Sequence, residues 1–165
     1  MKRMNPTVAK ITESAAIAAV YIVLTVVFAP ISFGPMQLRI AEILTILPMF
    51  TPSAVPGLFI GCIFANLFGG AVALDIVFGS IATLLGAAGS RLLRKKRWLV
   101  PLPAIAANTV IVPFVLRYGY GIDTPLLLLA LYVCIGEILG CYVLGELFAS
   151  VLLKRREIFR ESGPQ

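Results

Sequence analysis

The sequence has no histidine, one tryptophan, three cysteines and only eight acidic residues among its 165. Without histidine, zinc sites with imidazole ligands and Ser-His or Cys-His catalysis are excluded, and most hydrolase chemistry goes with them. Cys62, Cys134 and Cys141 each lie inside an apolar run, so they form neither a disulfide framework nor a zinc spacing and read as small packing residues. No glycine-rich phosphate loop closing on Lys-Ser or Lys-Thr is present, so the chain binds no ATP itself and any active transport must borrow its energy. The two halves lack the internal similarity on which secondary carriers are usually built. Charge rings that would line a channel are missing too. These absences leave neither a metal nor a cofactor to expect.

Charge of either sign is scarce. Charged residues make up 13% of the chain and hydrophobic ones 59%, where soluble domains are roughly a quarter charged. A spanning helix needs ~20 predominantly apolar residues, so the chain holds at most about six or seven spans and no sizeable soluble domain. The pattern predicts an all-α integral membrane protein, a six-transmembrane-helix bundle forming one membrane domain over 1–165. Its helices are expected at about 11–29, 38–50, 53–68, 71–93, 99–116 and 124–153. Pro30, Gly34 and Pro35 end the first, Pro48, Pro52 and Pro56 divide the second from the third, and Gly69-Gly70 turns the chain into the fourth. The first run has no small-residue cleavage site and reads as a retained helix, not a signal peptide.

Most of the lysines and arginines fall in three clusters: Lys2, Arg3 and Lys10; Arg91, Arg94, Lys95, Lys96 and Arg97; Lys154, Arg155, Arg156 and Arg160. Each abuts an apolar run, as the positive-inside rule expects of cytoplasmic segments, and this argues against nucleic-acid binding. Six spans starting from a cytoplasmic N-terminus put all three clusters and both termini on the cytoplasmic side. Five would leave one cluster outside.

Charged side chains inside spans are costly and normally face a bundle interior, a cavity or a partner. Arg39, Glu42, Asp75, Glu137 and Glu146 qualify, as do the amides of Gln37, Asn66 and Asn108. In the six-span topology all but Glu146 lie in the outer half or at the centre, so they can line one outward-facing pocket. The plainer alternative is interhelical glue for Asn66 and Asn108, and a structural ion pair for Arg39 and Glu42, spaced i, i+3. Glu137 has no basic residue expected at its depth, which leaves a proton, a distant cation such as Arg39, or a ligand. Glu146 is half a turn away from it and faces another helix or a partner. Ala15 and Ala19 form a small-xxx-small pair, a docking face that packs either internally or on another subunit; Gly79, Thr83, Gly86, Ala87 and Ser90 form a similar stripe.

The string from Ser32 to Glu42 (Ser-Phe-Gly-Pro-Met-Gln-Leu-Arg-Ile-Ala-Glu), Leu47-Pro48, Pro56 to Cys62 with Asn66, Asp75 to Leu84, Asn108 and Gly136-Glu137 together resemble the QueT family of queuosine-precursor transporters over nearly the whole chain. The resemblance implies the S-component of an energy-coupling factor (ECF) importer in the bacterial plasma membrane. Its partners would be a transmembrane coupling subunit, on which Ala15 and Ala19 would dock, and two cytoplasmic ATPase subunits. The implied cargo is a 7-deazaguanine such as preQ1 or queuine. The substrate-binding candidates are then Gln37, Arg39, Glu42, Asn66, Asp75, Asn108 and Glu137, with Phe33, Phe68 or Tyr118 to stack on the ring. Rival readings are a stand-alone proton-coupled carrier working through Glu137, a membrane-embedded enzyme using Asp75 and Glu137, and a purely structural assembly subunit.

Overall fold

The computed structural model describes residues 5–32 and 38–154. Every regular element among them is helical. Helix α1, Pro6–Val27, starts where the Asn5 side chain accepts from the Thr7 N–H at 3.0 Å and Pro6 supplies a preset φ. It stops before Ala29–Ser32, the four-residue helix α2, whose second position tolerates Pro30 because a helix's first turn has no internal partner for that N–H.

The segment expected as a second short α-helix is a ten-residue 3-10 helix, Ile40–Met49. Such helices rarely exceed four residues, because their hydrogen bonds are poorer. Burial sustains this one: seven of its residues, from Ala41 to Pro48, are buried, and it packs against α1 and the helices that follow. At ~2.0 Å per residue it spans only about 20 Å.

Helix α3, Ala54–Phe68, lies along α1. A Cβ at Gly57 would stand 2.8 Å from the Ser14 carbonyl oxygen, and one at Gly61 3.1 Å from the Ala18 Cα. These two glycines, four apart, let the backbones approach in the small-xxx-small manner. The fourth helix does not begin at 71 as an α-helix. It opens as a π-helix, Asp75–Gly79, that runs into α4, Ser80–Leu92. Its small stripe packs internally: Thr83, Gly86, Ala87 and Ser90 are buried, and a Cβ at Gly86 would meet the Ala104 Cα at 2.7 Å. Ala104 belongs to α5, Leu102–Tyr118, which follows the 3-10 turn Arg97–Leu99. The last stretch comprises α6, Leu126–Glu137, a π-helix, Ile138–Leu144, and α7, Gly145–Lys154.

Among the described residues, three helical stretches are long and apolar enough to cross a membrane: Pro6–Val27, Arg97–Tyr118 and Leu126–Lys154. Their outward faces are apolar as well. On α1 the buried positions Ala18, Tyr21 and Thr25 repeat at helical spacing, while Val20, Val23 and Val27 are exposed. Such a surface suits lipid, and the chain is a membrane protein with multiple apolar helices.

At the end of the bundle carrying the second basic cluster, Arg97 ties the chain's last helix down. Its Nε donates to Glu146 Oε2 at 2.6 Å and its Nη2 to Ser150 Oγ at 2.6 Å. Glu146 is thus held within the fold. Arg91 donates to the Pro48 carbonyl at 3.0 Å, fastening α4 to the end of the 3-10 helix.

Candidate functional site

Arg39, Glu42, Asp75 and Glu137 are all buried, with Arg39, the most accessible, only 4% exposed. Three separate parts of the chain carry them. Arg39 is the extended N-cap residue of the 3-10 helix and Glu42 lies in that helix's first turn. Asp75 opens one π-helix and Glu137 immediately precedes the other. π-segments recur at functional sites because they re-aim side chains within an otherwise regular helix.

Two hydrogen-bonded groups result. In the first, Arg39 Nη2 donates to both Asp75 oxygens, at 3.1 and 3.0 Å. Tyr120, in the turn between α5 and α6, donates its hydroxyl to Asp75 Oδ2 at 3.0 Å. Asn66 Nδ2 donates to the Asp75 carbonyl oxygen at 3.0 Å. Gly79 makes room for this arrangement, since a Cβ there would collide with Asp75 Oδ1. Burial first, then the Asp75 carboxylate, push the Tyr120 hydroxyl up to about 12, so it remains a donor at neutral pH.

The second group is acidic. Tyr21 donates to Glu42 Oε1 at 2.7 Å, and Asn108 Nδ2 donates to Glu137 Oε1 at 2.9 Å. The Cys141 thiol lies between them, 3.1 Å from Glu137 Oε2 and 3.8 Å from Glu42 Oε2. One ligand atom from each of Glu42, Glu137 and Cys141 falls within 4.8 Å of the others, a donor set able to hold a cation. The two groups meet along the 3-10 helix, where Gly140 of the second π-helix packs against the Arg39 carbonyl and the Glu42 Cβ.

Of the expected pocket residues, the structure brings Arg39, Asp75 and Asn66 together in one group, and Glu42, Asn108 and Glu137 in the other. Gln37 and Phe33 lie outside the described residues. The ion pair expected from the i, i+3 spacing of Arg39 and Glu42 gives way to Arg39–Asp75, because the extended N-cap position takes Arg39 off the helical register. Phe68 is 65% exposed and stacks on Phe64, and Tyr118 is 69% exposed; neither lies within the cluster. Ala15 and Ala19 are on the exposed side of α1, while Ala18 meets α3. Ala15 lines a groove with Lys10, Ser14, Pro52 and Pro56.

Sequence reasoning missed Tyr21, Tyr120, Cys62 and Cys141. Both cysteines read as packing residues, yet Cys141 joins the two glutamates and Cys62 accepts from Thr83 at 3.3 Å. Cys141 did carry a signal, lying four residues after Glu137 and so on the same helical face. Tyr21 had a weaker one, as a polar-tipped aromatic inside an apolar helix.

No solved structure matches the chain. The queuosine precursor transporter QueT of Lactococcus lactis subsp. cremoris (strain MG1363) is 32% identical over 77 residues, which cover 46% of this chain and 45% of that protein. The match thus spans under half of that relative. The QueT transporter family matches residues 11–154, through every element that supplies the buried cluster. That extent sets the enzyme reading aside, and the chain belongs to the QueT transporter family.

Proposed function

We propose that the chain is the substrate-binding membrane subunit of an ATP-driven ECF importer and takes up a queuosine precursor, a 7-deazaguanine such as preQ1 or queuine. In this reading it is a six-span, S-component-like bundle in the bacterial plasma membrane with both termini in the cytoplasm. Its partners are a transmembrane coupling subunit and two ATPases, and the exposed Ala15 and Ala19 face of α1 is the docking surface.

The observation that carries the reading is the Asn108–Glu137 contact. A deazaguanine presents a ring N–H and an exocyclic amine side by side, with a carbonyl next to them. A carboxylate accepts from the first two, and an adjacent amide N–H donates to the third. Glu137 and Asn108 offer that complement, out of water, where such bonds are strongest. The relative from Lactococcus lactis, named for a queuosine precursor, supports the choice of cargo. Arg39, Asp75, Asn66, Glu42 and Gln37 complete the binding set.

Calorimetric titration of the purified chain with deazaguanines, guanine and riboflavin tests it. The expected result is binding of a deazaguanine at micromolar concentration or tighter, with Glu137→Gln weakening it while the protein still elutes as a folded species. Folded protein that binds no deazaguanine refutes the cargo. A second reading, a stand-alone proton-coupled carrier, is favoured by the Glu42–Cys141–Glu137 contact. Uptake by the chain alone in liposomes that collapses with an uncoupler would select it over the ATP-driven importer.

A further inference from the structure

Lys10, the basic run at 91–97 and Lys154 gather at one end of the bundle. Thr51 Oγ1 donates to Glu13 Oε2 at 2.9 Å and Ser14 Oγ to the Ser53 carbonyl at 2.8 Å, so the start of α1, with Lys10, meets the end of the 3-10 helix. Arg91 on Pro48, and Arg97 on Glu146 and Ser150, bring in the turn after α4 and the last helix, which ends on Lys154. Glu13 and Glu146, the acids at this end among the described residues, are both taken up in these contacts.

The turn between α4 and α5 carries charge that the fold does not use. The sequence has no acid between Asp75 and Asp123. Buried Ser90 donates to the Val100 carbonyl at 2.6 Å and closes the turn at its base. Of the five cations there, Arg91 and Arg97 are bound within the bundle. Arg94, Lys95 and Lys96 are exposed and take part in none of the ion pairs among the described residues. Beside them Trp98 is 64% exposed, with the Arg97 guanidinium over its ring at 5.6 Å, and Leu92 is 80% exposed. Indole rings favour the boundary between acyl chains and headgroups.

We infer that this turn is a binding surface for anionic phospholipid: headgroup phosphates of the leaflet at that end meet Arg94, Lys95 and Lys96, while Trp98 and Leu92 enter the acyl region beneath them. Each lysine or arginine beside an anionic bilayer surface adds to the attraction, and the gain fades within a Debye length. An acidic protein surface would suit the same three cations, but the exposed indole and leucine next to them fit acyl chains.

Trp98 reports the contact directly, because it is the chain's one tryptophan. The test titrates the purified full chain, in neutral detergent, with phosphatidylglycerol or phosphatidylcholine brominated in the acyl chains, which quench indole fluorescence on contact. Phosphatidylglycerol is expected to reach half-quenching at a roughly tenfold lower concentration. High salt should close that gap. The triple variant Arg94→Gln, Lys95→Gln, Lys96→Gln should close it too, at an unchanged melting temperature. Equal quenching of the unaltered chain by the two lipids overturns the inference and leaves the turn to an acidic protein surface. A preference that survives in the folded triple variant also overturns it, by placing the anionic lipid elsewhere. Should the variant fail to fold, the salt series on the unaltered chain decides, and a preference indifferent to salt overturns the inference.

Discussion

Arg39 and Asp75 are 36 residues apart in the chain, yet one guanidinium nitrogen of Arg39 sits 3.1 and 3.0 Å from the two oxygens of Asp75, with both side chains buried. The pair joins the start of the 3-10 helix to the first residue of the π-helix that opens α4. In a buried pair, losing one partner costs far more than losing both, because an unmatched charge is left behind.

Asp75→Asn should therefore destabilise the protein by about 3–5 kcal/mol, read from denaturant unfolding of the purified chain. Combining Arg39→Met with Asp75→Leu should recover most of that loss. A double variant as unstable as Asp75→Asn would show that the pair's charges matter less than its packing.

Tyr21→Phe removes the donor 2.7 Å from Glu42 Oε1 and leaves a buried carboxylate oxygen short of a partner. The expected cost is about 1–3 kcal/mol, with the fold retained because the ring still fills its buried place. Circular dichroism and thermal melting check both halves of the statement.

Gly61→Val puts branched carbon where a single Cβ already stands 3.0 Å from the Tyr21 Cβ and 3.1 Å from the Ala18 Cα. Since backbone cannot swing aside, α1 and α3 must separate, at a cost of about 1–3 kcal/mol or more. Gly70→Ala, at a turn with nothing within 4 Å but a φ of 73°, should act differently, through backbone strain alone. Melting temperatures of the two variants, compared with a cysteine pair bridging α1 and α3 in the Gly61 variant, separate the mechanisms.

The Tyr120–Asp75 bond has its own pH limit. The folded-state hydroxyl is pushed up to about 12 by burial and by Asp75, above the ordinary phenol value of about 10. Its stabilisation is therefore complete below about 10 and fades as the pH climbs toward the folded-state value. An ultraviolet difference titration of the protein against Tyr120→Phe should show no phenolate from Tyr120 near pH 10, and a step there would contradict the bond.

Ala15→Trp fills an exposed position that lines the groove between α1 and α3. On the proposed importer reading, stability and ligand binding should be unchanged, while ATP-dependent uptake by the chain assembled with its coupling partners should fall by tenfold or more. Uptake at the normal rate would remove this face from the docking role.

Much of the helical order could be read along the chain, because apolar runs of membrane length and the prolines that break them are local features. The helix types could not. Ile40–Met49 and the stretch from Asp75 look like ordinary α-helix in composition; the first is sustained by its burial among neighbours, and the second goes with the buried contacts of Asp75 to Arg39 and Tyr120. For the site, costly intramembrane charges flagged Arg39, Glu42, Asp75 and Glu137 one by one. Their partners were hidden. Tyr120 sits in a turn two residues from the exposed Tyr118, and nothing local distinguishes the tyrosine that reaches Asp75 from the one that does not.

Sequence by itself determined that this chain lives in lipid and carries more acid than base inside its apolar runs, since composition and the energetic cost of charge in a membrane depend on no particular packing. Only the tertiary structure decided who pairs with whom. The short Arg39 contacts go to Asp75, and Glu42 and Glu137 come together beside Cys141, because helices that are distant in sequence set which side chains come within hydrogen-bonding reach.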